Sequence, residues 1–338
     1  MAFSSIIGQI VAKARLGTAL TGVPGHAYVF VGPDGIGKTM LAREFAMALL
    51  CQSPGSDGAC GICASCRHFG HGVHPDFRFI TLEGKEKNIK VERVRQSVSA
   101  DLQMRPQFGN RKVYLIAADF LNEQGQNALL KSLEEPPDYC FFLMTVIGPE
   151  RLLPTILSRV SSIPLLRYTP DEISAILTAN GIPPGASRDF YARFAGGLAG
   201  VAMDLAASSW FSELRSETLT LFKDLGKKSR TALLTAGYQF FENNRQHTPA
   251  ILDILGSLIR DQIVYICSRQ SGLLTNQDQL ALLTEGPASS IPAEEAKNKL
   301  TRAYAALIAA RRGLSLNASY EGLVCNLLLN LRKEFQYA

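Results

Sequence analysis

"VFVGPDGIGKTMLAREFA", residues 29–46, decides the fold. Within it, Gly32-Pro33-Asp34-Gly35-Ile36-Gly37-Lys38-Thr39 is a complete G-x-x-x-x-G-K-T phosphate loop. Its glycines let the backbone curl so that N–H groups point at phosphate oxygens. A helix opening at Lys38 adds the positive end of its dipole. In such a loop Lys38 reaches the β- and γ-phosphates, and the Thr39 hydroxyl sits on Mg²⁺. The preceding run "AYVFV" (27–31) is uninterrupted and apolar, which suits a buried parallel strand. That strand–loop–helix context separates the motif from a chance match. Holding a triphosphate is still only half of what cleaving one requires.

Further strands are expected at "FRFIT" (77–81), "VYLIA" (113–117) and "CFFLMTV" (140–146). Helical patterns lie near 38–50, 91–103 and 122–135, the last stopped by Pro136-Pro137. Strand–helix alternation predicts an α/β domain, a parallel sheet with helices on both faces. The character changes after residue 166. Thr169 reads as an N-cap, Pro170 as the first helical residue, and Gly181 follows the end. Two short helical patterns flank Gly196-Gly197, and 208–338 reads as long amphipathic helices such as "ILDILGSLIRDQIVYICSRQ" (251–270).

"CQSPGSDGACGICASC" places Cys51, Cys60, Cys63 and Cys66 at spacing C-x8-C-x2-C-x2-C. The two C-x2-C steps bring thiolates to one side of tight turns, and the flexible eight-residue loop lets Cys51 close a tetrahedron. Four soft thiolates with no open position describe structural Zn²⁺. The bland alternative is four free buried thiols. Cys140, Cys267 and Cys325 stand alone in apolar runs and read as inert core residues.

The bulk numbers narrow the field. A chain of 338 residues, 46% apolar, suits two or three domains. No apolar run is long enough to cross a membrane, and the first residues do not read as a signal peptide, so a cytoplasmic protein is expected. A net charge of +5 permits nucleic-acid contact without arguing for it. Around the cysteines only Arg67 is a permanent cation, so a base-reading zinc module is not expected. No carboxylate cluster suits two-metal polymerase or nuclease chemistry.

The phosphate loop, the cysteine module, "QNALLKSLEEPP" (126–137) and "LLPTILSRV" (152–160) together resemble the clamp-loader AAA+ subunits of bacterial DNA polymerase III. "IIGQ" (6–9), "IKVERVR" (89–95) and "LNASYEGLVCNLLL" (316–329) fit as well. The resemblance implies an AAA+ nucleotide-binding domain over 1–165 with its zinc module at 51–66. A three-helix lid over 166–207 and a helical collar for oligomerisation over 208–338 would follow. It also implies a five-membered ring with gamma/tau and delta subunits, a sliding clamp as client, and primed template DNA held through phosphates.

Against that family the hydrolytic parts are thin. Where acids follow the third apolar strand, this chain has Ala117 and Ala118, with Asp119 the nearby carboxylate. The next strand end offers Ile147-Gly148 in place of a polar sensor, and Val201 stands where the lid supplies an arginine. The expectation is a subunit that binds ATP and hydrolyses it poorly. The alternative is that Asp119 serves as the Mg²⁺ acid in a shifted register, making an active ATPase. Arg159 of "SRV" is kept, and the resemblance makes it a finger reaching a neighbour's ATP site. Its bland alternative is compensation of a helix dipole. The whole then reads as a stator that triggers hydrolysis next door and helps load the clamp during replication.

Overall fold

The computed structural model describes residues 3–284, 291–316 and 318–336. They form two compact units, 1–180 with 195–201, and 181–194 with 202–338.

The first unit is built on a five-stranded all-parallel sheet. Its strands are β1 (Ala27–Val31), β2 (Phe77–Ile80), β3 (Lys112–Ala117), β4 (Cys140–Val146) and β5 (Ser161–Pro164), in the order β2-β3-β4-β1-β5. Four of them fall on the expected apolar runs. β5 was not expected: of its four residues only Ile163 is buried, so it carries no apolar run. It is recruited by pairing along β1, with Tyr28 opposite Ser161 and Val31 opposite Pro164.

Alternate residues of the strands feed two apolar layers, as a pleated sheet covered on both faces requires. Val29, Tyr114, Ile116, Phe142 and Met144 join one core with Val94, Val98, Leu129 and Leu133. On the opposite parity, Tyr28 meets Phe45 edge-to-face with ring centroids 5.0 Å apart. Phe45 belongs to α2 (Lys38–Leu50), whose buried face also includes Leu41, Ala42, Leu49 and Leu50. The other early helices are α1 (Ile10–Thr21), α3 (Ala64–Gly70), α4 (Val91–Val94), α5 (Glu123–Glu134), α6 (Pro154–Leu157) and α7 (Pro170–Ala179).

The helix expected over 91–103 is helical throughout but not uniform. α4 passes into a π-helical stretch, Arg95–Ala100, and ends in a 3-10 turn, Asp101–Gln103. That end is anchored by a buried ion pair. Lys112 Nζ lies 3.1 Å from the Asp101 carboxylate, which also accepts from Tyr114 Oη at 2.8 Å. α7 begins with the expected Thr169 cap and Pro170, and Glu172 completes a reciprocal capping box.

The second unit is helical among its described residues. Its longest helices are Ser209–Asp224, Thr248–Ser268, Ala293–Ser315 and Tyr320–Phe335. Phe211, Phe241, Leu255, Leu258 and Leu328 are fully buried in it. Arg215 stacks over the Phe190 ring at 3.5 Å and forks onto both Asp278 oxygens. The cysteines outside the cluster are not all core residues: Cys140 is buried, Cys325 half-buried, and Cys267 exposed.

Candidate functional site

Two sites sit at the two ends of α2. At its N-terminus, the phosphate loop leaves β1 and turns through Gly35 and Gly37, with φ of +77° and +98°. These left-handed conformations need glycine. Lys38 opens the helix and is buried, and its Nζ folds back to donate to the Gly32 carbonyl at 2.7 Å and to Asp34 Oδ1 at 3.2 Å. Thr39 is exposed on the first turn. The loop follows β1, which lies between β4 and β5. Ligands of parallel sheets bind at such carboxyl ends of strands.

Apolar residues stand at the neighbouring strand ends. Ala117 and Ala118 are both buried at the end of β3. Asp119 is half-exposed, and its Oδ1 accepts from the Ile147 N–H at 2.9 Å, capping the turn after β4. Ile147 itself is exposed. The 195–201 segment reaches the loop, where the Gly200 N–H donates to the Gly35 carbonyl at 2.7 Å. A Cβ on Gly200 would fall 2.9 Å from Gly35 Cα, and one on Gly35 would touch Val201 at 3.4 Å. Gln9 pins the far side, donating to the Leu166 carbonyl at 2.7 Å and accepting from its N–H at 3.1 Å.

At the C-terminus of α2, Cys51 is the cap residue. Cys63 caps α3, and its sulfur accepts from the Cys66 N–H. The ligand atoms of Cys51, Cys60, Cys63 and Cys66 all lie within 4.8 Å of one another, with the Cys51–Cys63 and Cys60–Cys66 pairs at 3.9 Å. Zn–S bonds of about 2.3 Å in a tetrahedron demand S···S edges of about 3.8 Å. The four sulfurs therefore fit a Zn²⁺ ion. N–H groups of Ser53 and Cys60 donate to the Cys51 sulfur, and that of Cys63 to the Cys60 sulfur, which favours thiolates. The N–H groups of Ile62 and Cys63 pull the Cys60 thiol down to about 6, while burial pushes Cys66 up. The loop between Cys51 and Cys60 is fixed from the N-terminus, where Ser4 N–H and Oγ bind the two Asp57 carboxylate oxygens at 2.7 and 2.6 Å.

Arg159 bonds within a third region, around α6 and the end of α5. It follows α6, and its Nη1 donates to the Thr155 carbonyl at 2.8 Å and to Ser158 Oγ at 3.1 Å. Its Nη2 lies 2.8 Å from Glu134 Oε1. The bond to Thr155 is the helix-end contact a bland reading foresees, but the ion pair to α5 goes beyond it. Gln126, buried near the start of α5, donates to the Arg151 carbonyl at 2.9 Å and accepts from the Leu153 N–H at 2.8 Å. Sequence reasoning passed over Gln126 and Glu134 as parts of a motif. Their partners lie 25 residues away in each of those cases or farther, so no local pattern announces them.

Residues 14–169 match the family model described as "DNA polymerase III, delta subunit". The chain is 47% identical over 135 residues to the DNA polymerase III subunit delta' of Pseudomonas aeruginosa, covering 40% of this chain and 41% of that relative. It is 27% identical over 311 residues to the corresponding Bacillus subtilis subunit, covering 91% of each. It is also 39% identical over 163 residues to the Haemophilus influenzae subunit tau/gamma, covering 47% of this chain and 23% of that relative.

Proposed function

We propose, from the match of residues 14–169 to the DNA polymerase III delta-subunit family model and the likeness to delta' subunits, that this chain is a delta'-type clamp-loader subunit. In this reading it is a stator: it holds ATP with little or no hydrolysis and supplies Arg159 to a neighbour's ATP site. Residues 166–207 serve as a lid and 208–338 as the collar of a five-membered ring with gamma/tau and delta subunits. The client is the sliding clamp, closed around primed DNA whose phosphates are bound without sequence reading.

One observation carries the reading. A phosphate loop complete with Lys38 and Thr39 lies at the same carboxyl edge of the parallel sheet as the end of β3, where Ala117 and then Ala118 stand. Loop glycines, Lys38 and Thr39 supply phosphate and Mg²⁺ contacts. Cleavage further requires acids that hold the metal and orient the attacking water, and alanine side chains supply neither. Zn²⁺ at Cys51, Cys60, Cys63 and Cys66 completes the first unit as a structural ion, with no role in the chemistry. The rival reading, an active ATPase like the gamma/tau relatives, depends on Asp119 as metal acid.

A trans-acting guanidinium neutralises charge developing on the transferred phosphoryl group and is worth roughly 10³–10⁵ in rate. Arg159→Ala, assembled with the partner ATPases, clamp and primed DNA, is expected to cut turnover at the adjoining site by about a hundredfold or more. Steady-state ATP hydrolysis with assembly checked by gel filtration measures this. Unchanged turnover in an intact complex removes the finger assignment.

A further inference from the structure

Arg159 is engaged within its own chain, and the segment that carries it is held there in two ways that differ in kind. α5 grips the 151–159 segment near both ends. Near the helix start, Gln126 is only 5% exposed and binds backbone on both sides of Leu152. That grip is sheltered, and water cannot easily compete for it. At the helix end, the grip is the Glu134–Arg159 ion pair, whose side chains are 47% and 36% exposed. An ion pair so exposed is weak and screened by salt. The sheltered grip fixes where the segment lies, and the exposed one, together with the Nη1 bonds to the Thr155 carbonyl and Ser158 Oγ, decides only where the guanidinium points.

A phosphoryl group carries more charge than a carboxylate and takes a guanidinium through two parallel hydrogen bonds. It outcompetes Glu134 when it comes within reach. We propose that Glu134 is a positioning residue that parks the Arg159 guanidinium against its own chain and yields it to a phosphoryl group presented by a neighbouring subunit. This rests on the finger reading above. Glu134 touches no substrate. It lowers the fraction of time the finger is available, and so holds down turnover until assembly on DNA brings the neighbour's phosphates close. The strength of exposed pairs sets the scale, a change in available population of up to about fivefold.

The test uses the reconstituted complex with wild-type chain, Glu134→Gln, Arg159→Ala and the double variant. Turnover is read without and with primed DNA, across a salt series. Glu134→Gln is expected to raise the DNA-independent rate by about two- to fivefold and leave the DNA-stimulated rate unchanged. Rising salt should bring the wild type up towards the variant, because it screens the pair. In the Arg159→Ala background the Gln substitution should do nothing. A variant rate equal to wild type without DNA, or an increase that persists without Arg159, overturns the proposal. If Arg159→Ala lowers turnover but Glu134→Gln is silent, the finger stands and the parking falls. If Arg159→Ala is itself silent, the finger reading falls and takes this inference with it.

Discussion

The two ends of α2 make an instructive contrast. At the C-terminal end, Cys51, Cys60, Cys63 and Cys66 come from one short stretch, and all four sulfurs meet. At the N-terminal end, Lys38 and Thr39 also come from one stretch, but the remaining walls arrive from β3, from the turn after β4 and from 195–201. Those walls are Ala117, Ala118, Ile147 and Val201. A site written in contiguous sequence keeps or loses its chemistry as a unit. A site assembled from distant strands can shed its acids while the sheet beneath stays packed. Ala117 and Ala118 are buried, Ala118 within the apolar core itself, so the packing of the sheet does not depend on acids there.

The contrast is broken most forcefully at the cysteines. Cys63→Ser keeps a side chain able to cap α3, since serine is among the preferred N-cap residues. It removes only the thiolate. The variant is expected to lose its bound metal, read by elemental analysis. It should also lose about 5 kcal/mol or more of stability, part of the 10–16 kcal/mol that structural Zn²⁺ contributes to zinc-finger peptides. The sheet core is independent of the metal, so the loss should stay below that full range, and nucleotide binding at the other end of α2 should change little. Full metal content in the variant would show that Cys63 is not a ligand, and a wild type without metal whose stability ignores chelators would show that the cluster is four free thiols.

Legibility followed the same division. The helix Lys38–Leu50 was expected at its observed limits because a phosphate loop opens it and the cysteine module follows it. Four strands were readable from apolar runs. β5 was not, because pairing along β1 rather than its own composition makes it a strand. The π-helical turn at Arg95–Ala100 has no periodic signature of its own. The exposure of Cys267 was misread because its flanks, Ile266 buried and Ser268 half-exposed, do not tell which helix face the sulfur takes. Contacts such as Gly35–Gly200 and Glu134–Arg159 join stretches far apart in sequence, and only the folded chain brings them together.

A smaller effect tests how closed the phosphate loop is. The Gly200 backbone sits so close to Gly35 that any side chain must push the two apart. Gly200→Val is expected to cost about 1–3 kcal/mol, as overpacking does, read as a lowered melting temperature. By moving Val201 away from the loop it should also tighten nucleotide binding, measured by calorimetry with a non-hydrolysable triphosphate. Weaker binding would mean that the 195–201 segment helps to hold the nucleotide rather than crowd it. The N-terminal site would then be more complete than its side chains suggest.

The smallest expected effect is the sharpest discriminator. Asp119 has two readings, a cap for the Ile147 N–H and an acid for Mg²⁺. Asp119→Asn separates them, because an amide oxygen can still accept from the Ile147 N–H but brings no charge to a cation. If Asp119 is only a cap, stability should change by less than about 1 kcal/mol, and the Mg²⁺ dependence of nucleotide binding should match the wild type. If it is the metal acid, the Mg²⁺ dependence should collapse, together with any hydrolysis by the chain alone. The first outcome leaves the asymmetry of α2 intact, with four converging cysteines at one end and a phosphate loop without a metal acid at the other. The second gives the N-terminal site its missing carboxylate through a one-residue shift of register after β3, and makes Ala117 and Ala118 bystanders.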